Sequence, residues 1–167
     1  PSYGTTLYMG RSIIDFSGKD LSSLRNQFIG FVFQHHCLFP SLTTLQNVSL
    51  PLLYSGLSRS ERKQRAFNSL ESVGLADLSD RRPKQLSSGQ SQRVAIARAI
   101  VNEPRLVLAD EPTASLDAKN TENITDILIK LSERGTCVVI ASHDQKVYER
   151  TTNKIVINDG SVSCVCP

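Results

Sequence analysis

Residues 86–111 constrain this chain more than any other stretch. They run Leu86-Ser87-Ser88-Gly89-Gln90-Ser91-Gln92-Arg93-Val94-Ala95-Ile96-Ala97-Arg98-Ala99-Ile100 and, after a break, Arg105-Leu106-Val107-Leu108-Ala109-Asp110-Glu111. Ser87 followed three residues later by Gln90 is a capping box, so a helix starts there. Its first turn presents free backbone N–H groups and a positive dipole end, which attract anions. Val94, Ala97 and Val101 recur at helical spacing, and the helix must stop before Pro104. Leu106 to Ala109 is apolar without alternation, which predicts a parallel strand buried on both faces. Asp110 and Glu111 close it at the carboxyl end, where open α/β sheets place their ligands. Two adjacent acids there need a cation or hydrogen bonds. Alone, they would leave the plainer reading ahead, an Asp N-cap for the next helix.

The remaining composition narrows the class. A length of 167 residues fits one domain with a sizeable core. With 40% apolar and 21% charged residues the chain reads as globular rather than disordered. No apolar run approaches the roughly 18 residues of a membrane span, and the start shows no secretory pattern. A net charge of +3 is too weak to point to nucleic acid, and Arg59, Arg62, Lys63 and Arg65 read as a solvated helix face. Cys37, Cys137, Cys164 and Cys166 make no disulfide framework for a domain this size. Cys137, in an apolar strand, is expected in the core. Cys164-x-Cys166 lacks partners at zinc-finger spacing, and the adjacent His35-His36-Cys37 rarely could aim at one metal.

In chain order, residues 3–9 read as a strand and Ser12 to Ile14 as a short extended piece. Ser17-Gly18-Lys19-Asp20 reads as a turn. It fails as a phosphate-binding loop, because Ile13 stands where the first glycine belongs and Asp20 where Ser or Thr belongs. A short helix is expected over Leu21 to Asn26 and a buried strand over Phe28 to Phe33, ending at Gln34. Phe39 to Val48 reads as loop then helix, with apolar residues left exposed on an isolated domain. Ser58 to Val73 is an amphipathic helix, capped by the Ser58/Glu61 box and stopped by Gly74; Ala66, Phe67, Leu70 and Val73 form its stripe. Asp80 to Lys84 is a polar connector. Asp117 caps a helix with Ile124, Ile127, Leu128 and Leu131 buried, and Thr136 to Ala141 is another buried strand, ending at Ser142-His143-Asp144. Asp159-Gly160 marks a hairpin. Gln34, Asp110-Glu111 and His143 thus reach one sheet edge.

Phe31-Val32-Phe33-Gln34, Leu86 to Gln90, the strand ending in Asp110-Glu111-Pro112-Thr113, Ser115-Leu116-Asp117 and Ser142-His143-Asp144 together resemble the ATP-binding-cassette (ABC) ATPases. They match, in family order, its Q-loop, signature motif, Walker B motif, D-loop and switch histidine. The resemblance implies an α/β, P-loop NTPase-like ABC ATPase fold: a mostly parallel sheet flanked by helices, with a helical signature subdomain. It divides the chain into core strands to the Q-loop (1–34), helical subdomain and signature helix (35–100), and Walker B to C-terminal hairpin (101–167). It implies ATP and Mg²⁺. Asp110 would hold Mg²⁺, Gln34 would touch Mg²⁺ and the attacking water, Glu111 would orient or deprotonate that water, and His143 would contact the γ-phosphate. Ser87, Ser88, Gly89 and Gln90 would meet the nucleotide of a second subunit, and Asp117 would link the two sites. The implied partners are a second ABC ATPase domain in a head-to-tail homodimer and a transmembrane permease docking near Gln34 to Leu52, with no nucleic acid. The implied location is peripheral, on the cytoplasmic face of the inner membrane.

Two departures from the family pattern stand out. Ser88 replaces the usual glycine, which a helix start tolerates. The Walker A loop, its helix and the adenine-stacking aromatic are absent from the sequence, so the first strands and P-loop are expected to be missing. The chain is therefore expected to be the carboxyl-terminal part of such an ATPase. Alone, it is expected to be poorly stable and to bind ATP weakly with negligible hydrolysis. Gly30 to Gln34, Leu42 to Leu52 and Ala109 to Thr113 look like the lipoprotein-releasing and macrolide-export group. Two alternatives stay open: a non-hydrolytic module that docks on a partner, and an ABC ATPase acting outside transport.

Overall fold

A computed structural model describes residues 3–8 and 10–165, side chains excepted at 163–165. Its centre is a parallel sheet of β3 (Ile29–Val32), β4 (Leu106–Asp110) and β5 (Cys137–Ala141), in that order. The register pairs Val32 with Ala109 and Asp110 with Ala141, so all three strands end at one edge. Two antiparallel hairpins stand apart from it: β1 (Leu7–Tyr8) with β2 (Arg11–Ser12), and β6 (Lys154–Asn158) with β7 (Ser161–Val165).

The helices follow their caps. α1 (Gly18–Phe28) starts at Ser17, whose hydroxyl accepts from the Asp20 N–H. The expected turn at Ser17 to Asp20 is thus the first turn of a helix, because serine three residues before an acid caps better than it turns. α2 (Thr44–Ser49) has a Thr43/Gln46 capping box and α3 (Arg59–Ser72) the expected Ser58/Glu61 box, with Gly74 at φ +70° beyond its end. α4 (Ser88–Ile100) opens with the Ser87/Gln90 box. α5 (Ala118–Glu133) is capped by Asp117 and α6 (Gln145–Arg150) by Asp144.

One sheet face is covered. Val32, Val107, Ala109, Val138 and Ile140 pack into a core with Val94, Ile96, Ala97 and Val101 of α4 and Ile124 and Leu128 of α5. Gly30 lies so close to α4 that a Cβ would meet the Ala99 carbonyl oxygen at 2.4 Å. The other face carries Phe31, Leu108 and Val139 in one register row, with Val139 49% exposed and the Phe31 and Phe33 rings stacked at 5.9 Å. β4 and β5 therefore alternate in burial, correcting the expectation of strands buried on both faces. Cys137, expected in the core, lies on the same uncovered face and is exposed. An apolar run reports a strand, but only neighbouring elements decide which face they cover.

Of the strand expected over 3–9, the described residues hold Leu7–Tyr8; of the extended piece expected over Ser12 to Ile14, Ser12 ends β2 while Ile13 and Ile14 lie in the 3₁₀ turn Ile13–Asp15. Met9 and Cys166 lie outside the described residues. Asp159 and Gly160 take φ of +47° and +76°, the left-handed pair that a two-residue hairpin turn requires. No described helix is long and apolar enough to cross a membrane.

Candidate functional site

The site is assembled at the carboxyl ends of β3, β4 and β5. Beyond Asp110 the Glu111 N–H donates to the Ala141 carbonyl at 2.8 Å, extending the ladder by one residue. Glu111 then takes φ +44°, a left-handed conformation that a non-glycine residue adopts at a cost of about 1–3 kcal/mol. Its carboxylate meets His143, with Oε1 2.7 Å from the imidazole Nδ1. Ser142 Oγ lies 3.5 Å from Oε2. An ionised carboxylate only accepts, so Nδ1 carries the proton and Nε2 is left for another partner. The hydrogen bond and charge of Glu111 raise the His143 pKa above its ordinary 6.5. The histidine side chain is 80% exposed and that of Glu111 only 24%.

Asp110 ends β4 exposed to solvent, its carboxylate without a protein partner among the described residues. The cost that adjacent acids would carry in a buried strand is thereby avoided: one is solvated and the other faces a histidine. Gln34 also reaches this edge and is exposed. Carboxylate and amide oxygens are the donors that Mg²⁺ takes, so Asp110 and Gln34 fit that ion.

The backbone behind Gln34 is strained and clamped. His36 and Cys37 take φ of +57° and +49°. Arg98, on α4, donates through Nη2 to the His36 carbonyl at 2.7 Å and through Nη1 to that of Cys37. Sequence reasoning missed Arg98, since an arginine at a helical position carries no sign of the loop it grips. It also missed Asn47, which is fully buried under the following loop. Asn47 Oδ1 accepts from the Phe39 N–H at 2.7 Å, and Nδ2 donates to the carbonyls of Phe39, Leu42 and Thr43 at 3.0–3.3 Å. The only sequence signal was an asparagine between Gln46 and the apolar Val48 in a short helix. The loop so held presents Phe39, 56% exposed, and Leu53 and Tyr54 are exposed beyond α2.

The second cluster is the start of α4. Ser87 Oγ accepts from Gln90 N–H at 3.2 Å, and Gln90 Oε1 accepts from Ser87 N–H at 2.8 Å. Ser87 and Ser88 are exposed and Gly89 is buried. Asp117 sits nearby in the chain of contacts, since Asn120 of α5 bonds its carboxylate and packs on Gly89. No hydrogen bond among the described residues joins this cluster to Gln34, Asp110, Glu111 or His143. The expected residues therefore form two separate groups: a carboxylate–histidine edge, and a helix-start turn with Asp117. Under them, Gln92 is fully buried with both amide ends unpartnered, and so is the Thr113 hydroxyl.

Comparison with known proteins bears on the family of the chain. The family model described as ABC transporter matches residues 1–114. The lipoprotein-releasing system ATP-binding protein LolD of Aquifex aeolicus is 44% identical over 162 residues, 97% of this chain and 72% of that protein. The macrolide export ATP-binding/permease protein MacB of Aggregatibacter actinomycetemcomitans is 42% identical over 159 residues, 95% of this chain and 25% of that protein. Among solved structures, the ATP-binding cassette MJ0796, a dimer in a post-hydrolysis state bound to ADP and Pi, superposes with a TM-score of 0.86. It is 38% identical, and the match covers 98% of this chain and 74% of that one.

Proposed function

The chain belongs to the ABC transporter family of ATP-binding domains, and from that premise we propose that it serves as the ATP-hydrolysing motor of a transporter, working in a head-to-tail pair. The observation that carries this is the split site. Glu111 and His143 meet at the sheet edge, while among the described residues no hydrogen bond joins them to Ser87 to Gly89 or Asp117. Two copies facing each other would bring one cluster against the other.

In this reading Glu111 takes a proton from, or orients, the attacking water, and His143 returns its raised affinity for a proton as a hydrogen bond to the γ-phosphate. Asp110 and Gln34 would hold Mg²⁺, which when bound neutralises phosphate charge. Ser87, Ser88, Gly89 and Gln90 would face the nucleotide of the other copy through the start of α4. Phosphate positioning also needs a Gly-x-x-x-x-Gly-Lys-Ser/Thr loop, which these 167 residues do not contain. The chain by itself is therefore expected to hydrolyse no ATP. One second reading, a non-hydrolytic module that docks on a partner, is favoured by the exposed Phe39, Leu53 and Tyr54.

The exposed Phe39 loop and the Gln34 to Leu52 region would receive a transmembrane permease, holding the protein peripherally at the cytoplasmic face of the membrane. The division into 1–34, 35–100 and 101–167 follows the same reading. The test is size-exclusion chromatography with light scattering on the protein expressed from its native gene, carrying Glu111→Gln. ATP should drive it from monomer to dimer, and adding Ser87→Arg should prevent this. A mass unmoved by ATP would refute the head-to-tail motor and favour the docking module.

A further inference from the structure

Gly89 is buried in the first turn of α4, and what lies against it is not α4 itself. A Cβ at this position would sit 2.4 Å from Asn120 Oδ1, 2.6 Å from its Cγ and 3.2 Å from its Cβ. The missing side chain is thus what lets the Asn120 amide nest on the signature turn. The other end of the same amide is also committed. Asn120 Nδ2 donates to Asp117 Oδ2 at 2.8 Å, and its backbone N–H donates to Oδ1 at 2.8 Å. An ordinary N-cap needs only the second of these bonds. The first fixes the remaining carboxylate oxygen and, with it, the amide plane that rests on Gly89.

We propose that Asn120 is a positioning residue that keys the Ser87–Gln90 turn to Asp117, so that both meet a second subunit's nucleotide as one surface. The exposure pattern suits this: Ser87, Ser88 and Asp117 face solvent, while Gly89 and Asn120 form the joint behind them. A shorter side chain would leave α4 and α5 packed but would lose the strut between their first turns. The proposal rests on the two-copy reading above and assigns Asn120 no contact with nucleotide.

The test uses the native-gene protein. Gly89→Ala should lower Tm by about 5 °C, because the added methyl overpacks against Asn120. Adding Asn120→Ala should recover at least half of that loss. On the Glu111→Gln background, Asn120→Ala should weaken ATP-driven dimerisation about tenfold, the worth of one hydrogen bond to a charged group. In Asn120→Ala a carboxyl-resolved NMR titration should show the Asp117 pKa moving part of the way up towards its ordinary value, since the backbone N–H of residue 120, the larger cause of its lowering, stays and only the side-chain bond is lost. Asn120→Asp, which keeps the volume but repels Asp117, should weaken the dimer further. If neither Asn120 variant changes the dimer constant, the proposal fails even when the stability cycle is non-additive, since the joint is then structural only. If the unaltered Glu111→Gln protein does not dimerise with ATP, the two-copy reading itself fails.

Discussion

Replacing Asn47 with alanine should loosen the loop that ends in Phe39 and cost about 3 kcal/mol. The buried amide accepts one backbone N–H and spreads two hydrogens over three carbonyls. Alanine removes all of this at once. Each hydrogen bond contributes roughly 0.5–1.5 kcal/mol net, and a partly buried group left unpaired costs roughly 1–3 kcal/mol. Water reaches the exposed side of the loop and recovers part of the loss, which places the sum near the middle of a range of about 2–5 kcal/mol. Urea unfolding followed by circular dichroism reads this directly: with a slope of about 2 kcal/mol/M the midpoint should fall by about 1.5 M. Amide exchange at Phe39 should accelerate in the same variant. Asn47→Asp keeps the shape and the acceptor but turns a carboxylate towards three carbonyls, so it should be at least as unstable near neutral pH. A shift below about 0.5 kcal/mol, within the scatter of ordinary surface substitutions, with Phe39 exchange unchanged, would refute the role given to this amide.

Other substitutions test the packing and the edge chemistry. Gly30→Ala should cost about 3 kcal/mol or prevent folding, because the atom its Cβ meets is the Ala99 carbonyl in the backbone of α4, which cannot swing aside; urea unfolding checks it, and a neutral result would mean that β3 and α4 sit further apart. Gln92→Met removes two buried, unpartnered polar atoms at similar volume, so it should raise stability by about 1–3 kcal/mol and Tm by several degrees; a lower Tm would show that the amide is satisfied. For the Glu111–His143 contact the sign follows from a raised histidine pKa. Its stabilisation is complete below the ordinary 6.5 and disappears as pH rises through the folded value. Glu111→Gln should therefore lower the His143 pKa in an NMR titration, and an unchanged pKa would mean that the two side chains do not pair in solution.

The sequence carried the local signals well and the covering of surfaces poorly. Ser87/Gln90, Ser58/Glu61 and Asp159-Gly160 act within four residues, and the helices and hairpin stand where those residues place them. The shared edge was also legible, because Gln34, Asp110-Glu111 and Ser142-His143 each follow an apolar run, and parallel register carries them to one edge. Cys137 and Val139 were misjudged for a different reason. Their exposure depends on what lies over the second sheet face, which no local pattern encodes. Arg98, Asn47 and Asn120 went unseen because each acts on backbone or side chains brought near only by folding. Ser17 was misread because a capping serine and a turn serine look alike until the following helix is fixed.

The central claim is that Glu111 serves hydrolysis rather than merely the local structure of the sheet edge. It is tested most directly by measuring ATP turnover of the protein expressed from its native gene, with and without Glu111→Gln. The account predicts that the unaltered protein releases phosphate and that the variant still binds ATP but turns over at least about 100-fold more slowly, the range of a lost general base. Equal turnover in the two proteins would contradict it.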